Sequence, residues 1–230
     1  MSGTGVILPS YNAARFLEKV IADIRAVVPD IRVLVVDDGS TDGTADVARQ
    51  AGAEVIVHEV NRGKGGALAT GNAWALESGL EWVYTMDADG QHLPGEMSRF
   101  EEAAAAGPYD VVVGDRMDDT RDMPWLRKRT NEFTSWVVSK LAGVRIPDSQ
   151  NGYRLFRVAC LEGLELRTTR YDTETEILVR LARRGYRIGA VPVSTIYGDE
   201  HSSINPFVDT GRFFRLVTML IASRRDEQRP

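Results

Sequence analysis

The first half of the chain is written in short apolar runs separated by stretches with helical spacing. GVILPSY is apolar and stopped by Pro9, as a buried strand would be. NAARFLEKVIADIRAVV follows, with Phe16, Leu17, Val20, Ile21 and Ile24 at helical intervals and Asn12 in the N-cap position. IRVLVVDDGS predicts a second strand ending in acids, and TDGTADVARQAG a helix closed by Gly52. EVIVHEV reads as a third strand, KGGALATGNAWALESG as a third helix and EWVYTM as a fourth strand. A helix near 94–106 and the strand YDVVVG come next. This alternation predicts right-handed βαβ units and a mainly parallel sheet with helices on both faces.

The second half is less regular. A long helix is expected over 125–141. DSQNGYRLFR reads as a polar turn leading into a strand or short helix. DTETEILVRLARRG is an amphipathic helix with Gly185 past its end, and RIGAVPVSTIY a strand put at an edge by Pro192. GDEHSSINP is a loop before a last helix over 207–225. No repeat or linker interrupts the pattern, so one domain is expected.

In parallel sheets of this kind ligands bind beyond the carboxyl ends of the strands. PSYN, DDGS, MDADGQ and GDRM all stand at such ends and are expected to gather along one edge. If strand geometry persists past Met86, Asp87, Asp89 and Gln91 point the same way. Packed carboxylates repel unless a cation intervenes. Hard oxygen ligands, few of them from protein, suit magnesium or manganese bridging to substrate phosphates; a solvated turn is the ordinary alternative. In DDGSTDGT, Asp37, Gly39 and Ser40 suit a turn, while Asp38 suits an acceptor for a base or ribose. NRGKGGAL sets Arg62 and Lys64 among Gly63, Gly65 and Gly66 at a helix start, where N–H groups favour an anion. The spacing is neither that of a P-loop nor of a dinucleotide fingerprint. His58 ends a strand and reads as incidental; His92, next to Gln91, reads either as a residue backing the acidic motif or, more ordinarily, as an exposed loop histidine.

The chain has 230 residues, 43% hydrophobic and 27% charged, with a formal charge of -5. That balance argues against a nucleic-acid partner. The single cysteine, Cys160, excludes an internal disulfide framework, and no segment has the apolar length of a membrane span. A strand-like segment begins at once, so no signal peptide is expected and the cytoplasm is the expected location.

Taken as a set, PSYN, DDGSTDGT, MDADGQH and GDR resemble the inverting family 2 glycosyltransferases of the GT-A fold, in that family's order and spacing. DSQNGYRLFR and YGDEHSSI resemble two stretches of its dolichyl-phosphate mannose synthase branch. The resemblance implies a nucleotide-binding half over 1–116 and an acceptor half over 117–230. It implies that Pro9, Tyr11, Val36, Asp38 and Lys64 hold a nucleotide-sugar, with Asp87 and Ala88 lining the nucleotide. Asp87, Asp89 and Gln91 would serve Mg²⁺ or Mn²⁺. Arg116 would meet a donor or acceptor phosphate. Arg127 and Asn131 share a helix face and, with His201 and Ser203, would face a lipid phosphate. Asp89, Arg116 and Arg127 would carry catalysis. The chain departs from the branch at Ala13, where the branch has Glu, and at Thr195 and Ser203, where it has Arg and Lys; the last two make the expected donor-phosphate contacts less cationic.

The implied reaction moves mannose or glucose from GDP-mannose or UDP-glucose to a polyprenyl phosphate. That acceptor is already an anion and needs no general base, only cationic positioning. A hydroxyl acceptor would need a base, for which Asp148 and Asp172 are the weak candidates. A different saccharide, small-molecule or protein acceptor, and a nucleotide-sugar binding module without turnover, remain as alternatives. A lipid acceptor implies peripheral contact with the inner face of a membrane. The expected helices over 125–141 and 207–225 offer apolar stripes with arginines nearby. Packing on the sheet, or at a homodimer interface, is the more ordinary reading of such a stripe on either helix alone.

Overall fold

A computed structural model describes residues 3–117, 123, 125–170, 172–194, 196 and 206–227, without the side chains of 127, 206–210 and 224–227. The elements run β1 (Thr4–Ser10), α1 (Ala14–Val27), β2 (Arg32–Asp37), α2 (Thr44–Gln50), β3 (Glu54–Val57), α3 (Lys64–Glu77) and β4 (Trp82–Thr85). They continue through a 3-10 turn at Pro94–Glu96 into α4 (Met97–Ala106), then β5 (Val111–Asp115), α5 (Trp125–Ala142) and β6 (Arg154–Arg157). A second 3-10 turn at Val158–Leu161 precedes α6 (Asp172–Arg183), β7 (Ile188–Pro192) and α7 (Pro206–Glu227).

The seven strands form one sheet in the order β3-β2-β1-β4-β6-β5-β7. All pairings are parallel except those of β6, which runs antiparallel between β4 and β5. Successive residues of the inner strands serve opposite cores. Val6, Leu8, Val33 and Val35 pack with the buried side of α1, while Ile7, Leu34 and Val36 pack with residues of α3 and α6. This is why the strands read as unbroken apolar runs. Pro9 lies inside β1 and costs little there. Its pairing to β2 continues to Ser10, but the β4 ladder has already ended at Ile7↔Thr85.

The start of α1 differs from the expectation. Asn12 is not its N-cap: it adopts a left-handed φ of 51°, which asparagine tolerates. Its amide donates to Ser40 Oγ at 2.8 Å, and its side-chain oxygen accepts from the Thr41 amide at 3.0 Å. The first turn of α1 is capped from a distance. The Ala13 amide donates to Thr44 Oγ1 (2.9 Å) and the Ala14 amide to Asp42 Oδ2 (3.0 Å). The other oxygen of Asp42 accepts from the Thr44 amide at 3.0 Å, so one carboxylate serves two helix starts. Burial alone would raise the Asp42 pKa; the Thr44 hydroxyl and the two amides prevail and hold it below the usual carboxylate range.

Asp42→Ala is therefore expected to cost about 1 kcal/mol, and to lower the melting temperature by roughly 2–4 °C per kcal/mol in a chain of this size. The folded-state pKa is depressed, so this contribution is present above the unfolded-state pKa near 3.9 and fades as pH falls through the folded value. Thermal melts of both proteins from pH 7 to 3 check this: the curves should converge on the acid side.

Candidate active site

The carboxyl ends of β1, β2, β4 and β5 bring Tyr11, Asp38, Asp87 and Arg116 to one edge of the sheet, as the alternation predicts. Antiparallel β6 adds its amino end to the same edge, with Gly152 just before it. The Thr85 hydroxyl donates to the Gly152 carbonyl at 2.9 Å. A Cβ on Gly152 would lie 2.8 Å from Asp87 Oδ2, so that glycine makes room for the acid.

Asp87 is held by an internal cation. Its Oδ1 lies 2.5 Å from Lys64 Nζ, which also reaches Glu174 Oε2 at 3.1 Å. His92 Nε2 stands 3.5 Å from the other oxygen. Burial alone would raise the Asp87 pKa, but the Lys64 charge and the His92 contact hold it well below the carboxylate range. For Lys64 burial works against the charge, and Asp87 and Glu174 outweigh it, raising its pKa. Glu174, near the start of α6, is a site residue that the sequence reading missed; only the fold brings it beside Lys64.

The strand does not persist past Met86. It ends at Thr85, and the chain turns through 88–90 with Gly90 at a φ of 76°. The shared face inferred for Asp87, Asp89 and Gln91 therefore does not arise from strand alternation. A local turn joins the last two instead: the Gln91 amide donates to Asp89 Oδ1 at 2.9 Å. Asp89 and Gln91 are half-buried, and Ala88 is buried. Among the described residues no three of His, Cys, Asp and Glu form a ready cation cage. Two rim oxygen donors completed by phosphate oxygens suit Mg²⁺ or Mn²⁺.

Asp38 is 3% exposed, and its carboxylate is engaged within the fold. Oδ1 accepts from His58 Nδ1 (2.7 Å) and the Arg62 amide (2.8 Å), and Oδ2 from the Gly63 amide (2.7 Å). The Gly65 amide donates to the Thr169 carbonyl at 2.9 Å. The anion expected on the amides of this glycine-rich turn is thus Asp38 itself. His58 is buried, with Nε2 2.9 Å from Thr70 Oγ1, so it is neither exposed nor incidental. His92 is likewise buried, against Tyr153, and not an exposed loop residue. Pro9 and Val36 lie within β1 and β2, and Tyr11 is exposed at the rim.

On the other side of the edge, Arg116 is 7% exposed and Asp148 is fully buried. The guanidinium donates through Nε (2.7 Å) and Nη2 (3.0 Å) to the two oxygens of Asp148. The Gln150 amide also donates to Asp148 at 3.1 Å. Asp148 is therefore unsuited to be a general base. Ser135, one turn after Asn131 on α5, accepts from the Ser149 amide at 3.0 Å, tying α5 to the segment that carries Asp148. Asn131 is buried, and its Nδ2 has no hydrogen-bond partner among the described residues. Thr195, His201 and Ser203 lie outside the described residues, as does the side chain of Arg127. Arg154 is a buried strut, donating to the carbonyls of Asn151, Ser149 and Glu174 at 2.7–3.0 Å.

Beside Asp115 and Met117 a groove of about 760 Å³ opens along α5. Its lining includes Lys128, Lys140, Arg145, Glu132 and Trp136. The outer face of α5 is aromatic. Trp125, Leu126, Trp136 and Phe133 are 71%, 70%, 59% and 49% exposed, while Asn131, Ser135 and Val138 turn inward. Phe214 and Ile221 of α7 are exposed as well. Among the described residues no helix is long and apolar enough to cross a membrane.

The model of a sequence family described as "Glycosyl transferase family 2" matches residues 5–163. A UDP-N-acetylglucosamine--dolichyl-phosphate N-acetylglucosaminyltransferase of Methanococcus voltae is 30% identical over 93% of this chain and 94% of its own length. An undecaprenyl-phosphate mannosyltransferase of Micrococcus luteus is 34% identical over 83% of this chain and 82% of its own. Among solved structures, glucosyl-3-phosphoglycerate synthase from Mycobacterium tuberculosis, in complex with Mn²⁺, UDP and phosphoglyceric acid, superposes with a TM-score of 0.73. It is 22% identical, covering 99% of this chain and 79% of that one.

Proposed function

The chain belongs to glycosyl transferase family 2 and is a glycosyltransferase with the GT-A fold; from that membership we propose that it transfers a hexose from a nucleoside diphosphate sugar to a polyprenyl phosphate at a membrane surface. We read residues 1–116 as the donor half and 117–230 as the acceptor half of one domain. The observation that carries this reading is the exposed aromatic face of α5, with Arg129 and Lys140 among its residues, running past a groove that holds Lys128, Lys140 and Arg145. Basic aromatic helices of this kind sit in the interface of an anionic bilayer. The named acceptors of the Methanococcus voltae and Micrococcus luteus relatives support the same choice.

In this reading Pro9, Tyr11 and Val36 border the nucleoside, and Lys64 faces the diphosphate while fixing Asp87. Asp89 and Gln91 would hold Mg²⁺ or Mn²⁺, which when bound would offset negative charge on the diphosphate. Arg116 and the amide of Asn131 receive the acceptor phosphate. One of its oxygens attacks the anomeric carbon as the bond to the diphosphate breaks, inverting that centre. The attacking oxygen is already anionic, so no carboxylate is asked to remove a proton. This matches a site in which Asp148 and Glu174 are both paired with cations.

The test is transfer of labelled sugar from GDP-mannose, UDP-glucose and UDP-N-acetylglucosamine into organic solvent, with undecaprenyl phosphate and Mn²⁺ supplied. Label that stays in water, with phosphoglycerate or a saccharide as acceptor, would replace the lipid reading by a soluble one. The membrane face has its own check. Phe133→Ser/Trp136→Ser removes two exposed rings and should leave the melting temperature unchanged. Each ring is worth roughly 1.5–3 kcal/mol on full burial, so sedimentation with anionic vesicles should fall tenfold or more.

A further inference from the structure

We infer that His58 is a positioning residue for the donor site, acting through Asp38 on the turn that presents Lys64; the inference rests on reading Lys64 as a donor-diphosphate contact. Asp38 accepts hydrogen bonds from two backbone amides as well as from His58, which is the behaviour of an ionised carboxylate. An ionised carboxylate cannot donate, so His58 Nδ1 carries the proton of their 2.7 Å bond. The other two bonds to Asp38 come from Arg62 and Gly63, the two residues immediately before Lys64. The turn is also fixed from its far side, where the Gly65 amide is bonded to Thr169. A Cβ on Gly63 would lie 2.3 Å from the Thr169 carbonyl oxygen, so that residue has no slack. Lys64 therefore projects from a backbone tied on one side by Asp38 and on the other by 169, and its ammonium meets Asp87 and Glu174. His58 sets the first tie. It comes from the end of β3, the edge strand, and its side chain is 4% exposed. Its ring contacts no other site residue directly, and its second nitrogen is occupied by Thr70 of α3.

Three variants separate this role from packing. His58→Phe keeps an aromatic ring and loses both bonds. His58→Asn keeps a donor at the Nδ1 position and loses the Thr70 contact. Thr70→Val removes that contact together with the hydroxyl's bond to the Gly66 carbonyl, and keeps the Asp38 bond. Calorimetric titration with UDP and GDP in the presence of Mn²⁺ should show about tenfold weaker binding for His58→Phe. It should show near wild-type binding for His58→Asn and Thr70→Val. With donor sugar, His58→Phe should raise KM about as much while kcat holds. Amide exchange at Arg62 and Gly63 should quicken about tenfold in His58→Phe only. Wild-type nucleotide affinity in His58→Phe, or a loss in His58→Asn as large as in His58→Phe, would overturn the role. If the wild-type protein binds neither nucleotide, the donor-site reading fails, and the exchange rates at Arg62 and Gly63 still decide whether His58 positions the turn. Should His58→Phe not fold, His58→Gln, whose amide reaches Thr70 and leaves Asp38 without its donor, should show the same tenfold loss, and wild-type affinity there would overturn the role.

Discussion

Asp89→Asn is expected to lower turnover by about 10²–10³-fold while leaving the melting temperature within a degree or so of wild type. The side chain is half-buried at the end of a turn, and asparagine keeps the oxygen that accepts the Gln91 amide. The bond to the Gln91 amide is thus kept. What is lost is a negative charge at the rim, the property that lets two protein oxygens and a diphosphate share a divalent ion. Mn²⁺-dependent binding of the nucleoside diphosphate should weaken in parallel, measured by calorimetry without any sugar acceptor. Asp87→Asn should behave differently. Asp87 is the partner of Lys64, so its loss leaves a buried ammonium with Glu174 alone, and stability should fall along with activity. Equal effects of the two substitutions on melting temperature would mean that Asp87 and Asp89 share one role.

This division between the two aspartates was not legible in the sequence. Alternation along a strand predicted a common direction for Asp87, Asp89 and Gln91, and it stopped applying one residue before the motif. What did carry over were the features set by local pattern. The strands from β1 to β5 and the helices between them follow from apolar runs and helical spacing, because each inner strand is buried on both faces. The gathering of strand ends followed from parallel topology alone. The β6 stretch reads as strand or short helix alike for a physical reason. Its four residues, RLFR, begin with an arginine whose burial depends on three carbonyls from 149, 151 and 174. Likewise Asn12 looks like a cap because the side chains that cap α1, Asp42 and Thr44, lie about thirty residues downstream. His58 looked incidental because Asp38 is twenty residues upstream. Contacts between loops at the sheet edge leave no periodic trace, and at this edge those contacts build the site.

The second large effect concerns the pair on the acceptor side. Asp148→Leu is expected to destabilise the protein by about 3–5 kcal/mol, because it strands the Arg116 guanidinium in a site where the arginine is 7% exposed. At roughly 2–4 °C per kcal/mol the melting temperature should fall by about 6–20 °C. The Gln150 amide loses its acceptor at the same time. Arg116→Met/Asp148→Leu removes both charges and supplies apolar volume, so it should regain most of the lost stability. Transfer should not return with it. If Arg116 receives the acceptor phosphate, the double variant will be well folded, will bind donor nucleotide as the wild type does, and will stay at least 10²-fold slower. A double variant that recovers both stability and transfer would reduce the pair to a structural strut. The phosphate would then have to be met by Asn131 and by the cations around the groove along α5. The two readouts are separable because melting temperature follows whether a charge is left buried without its partner, whereas transfer follows whether the guanidinium is there to meet the phosphate.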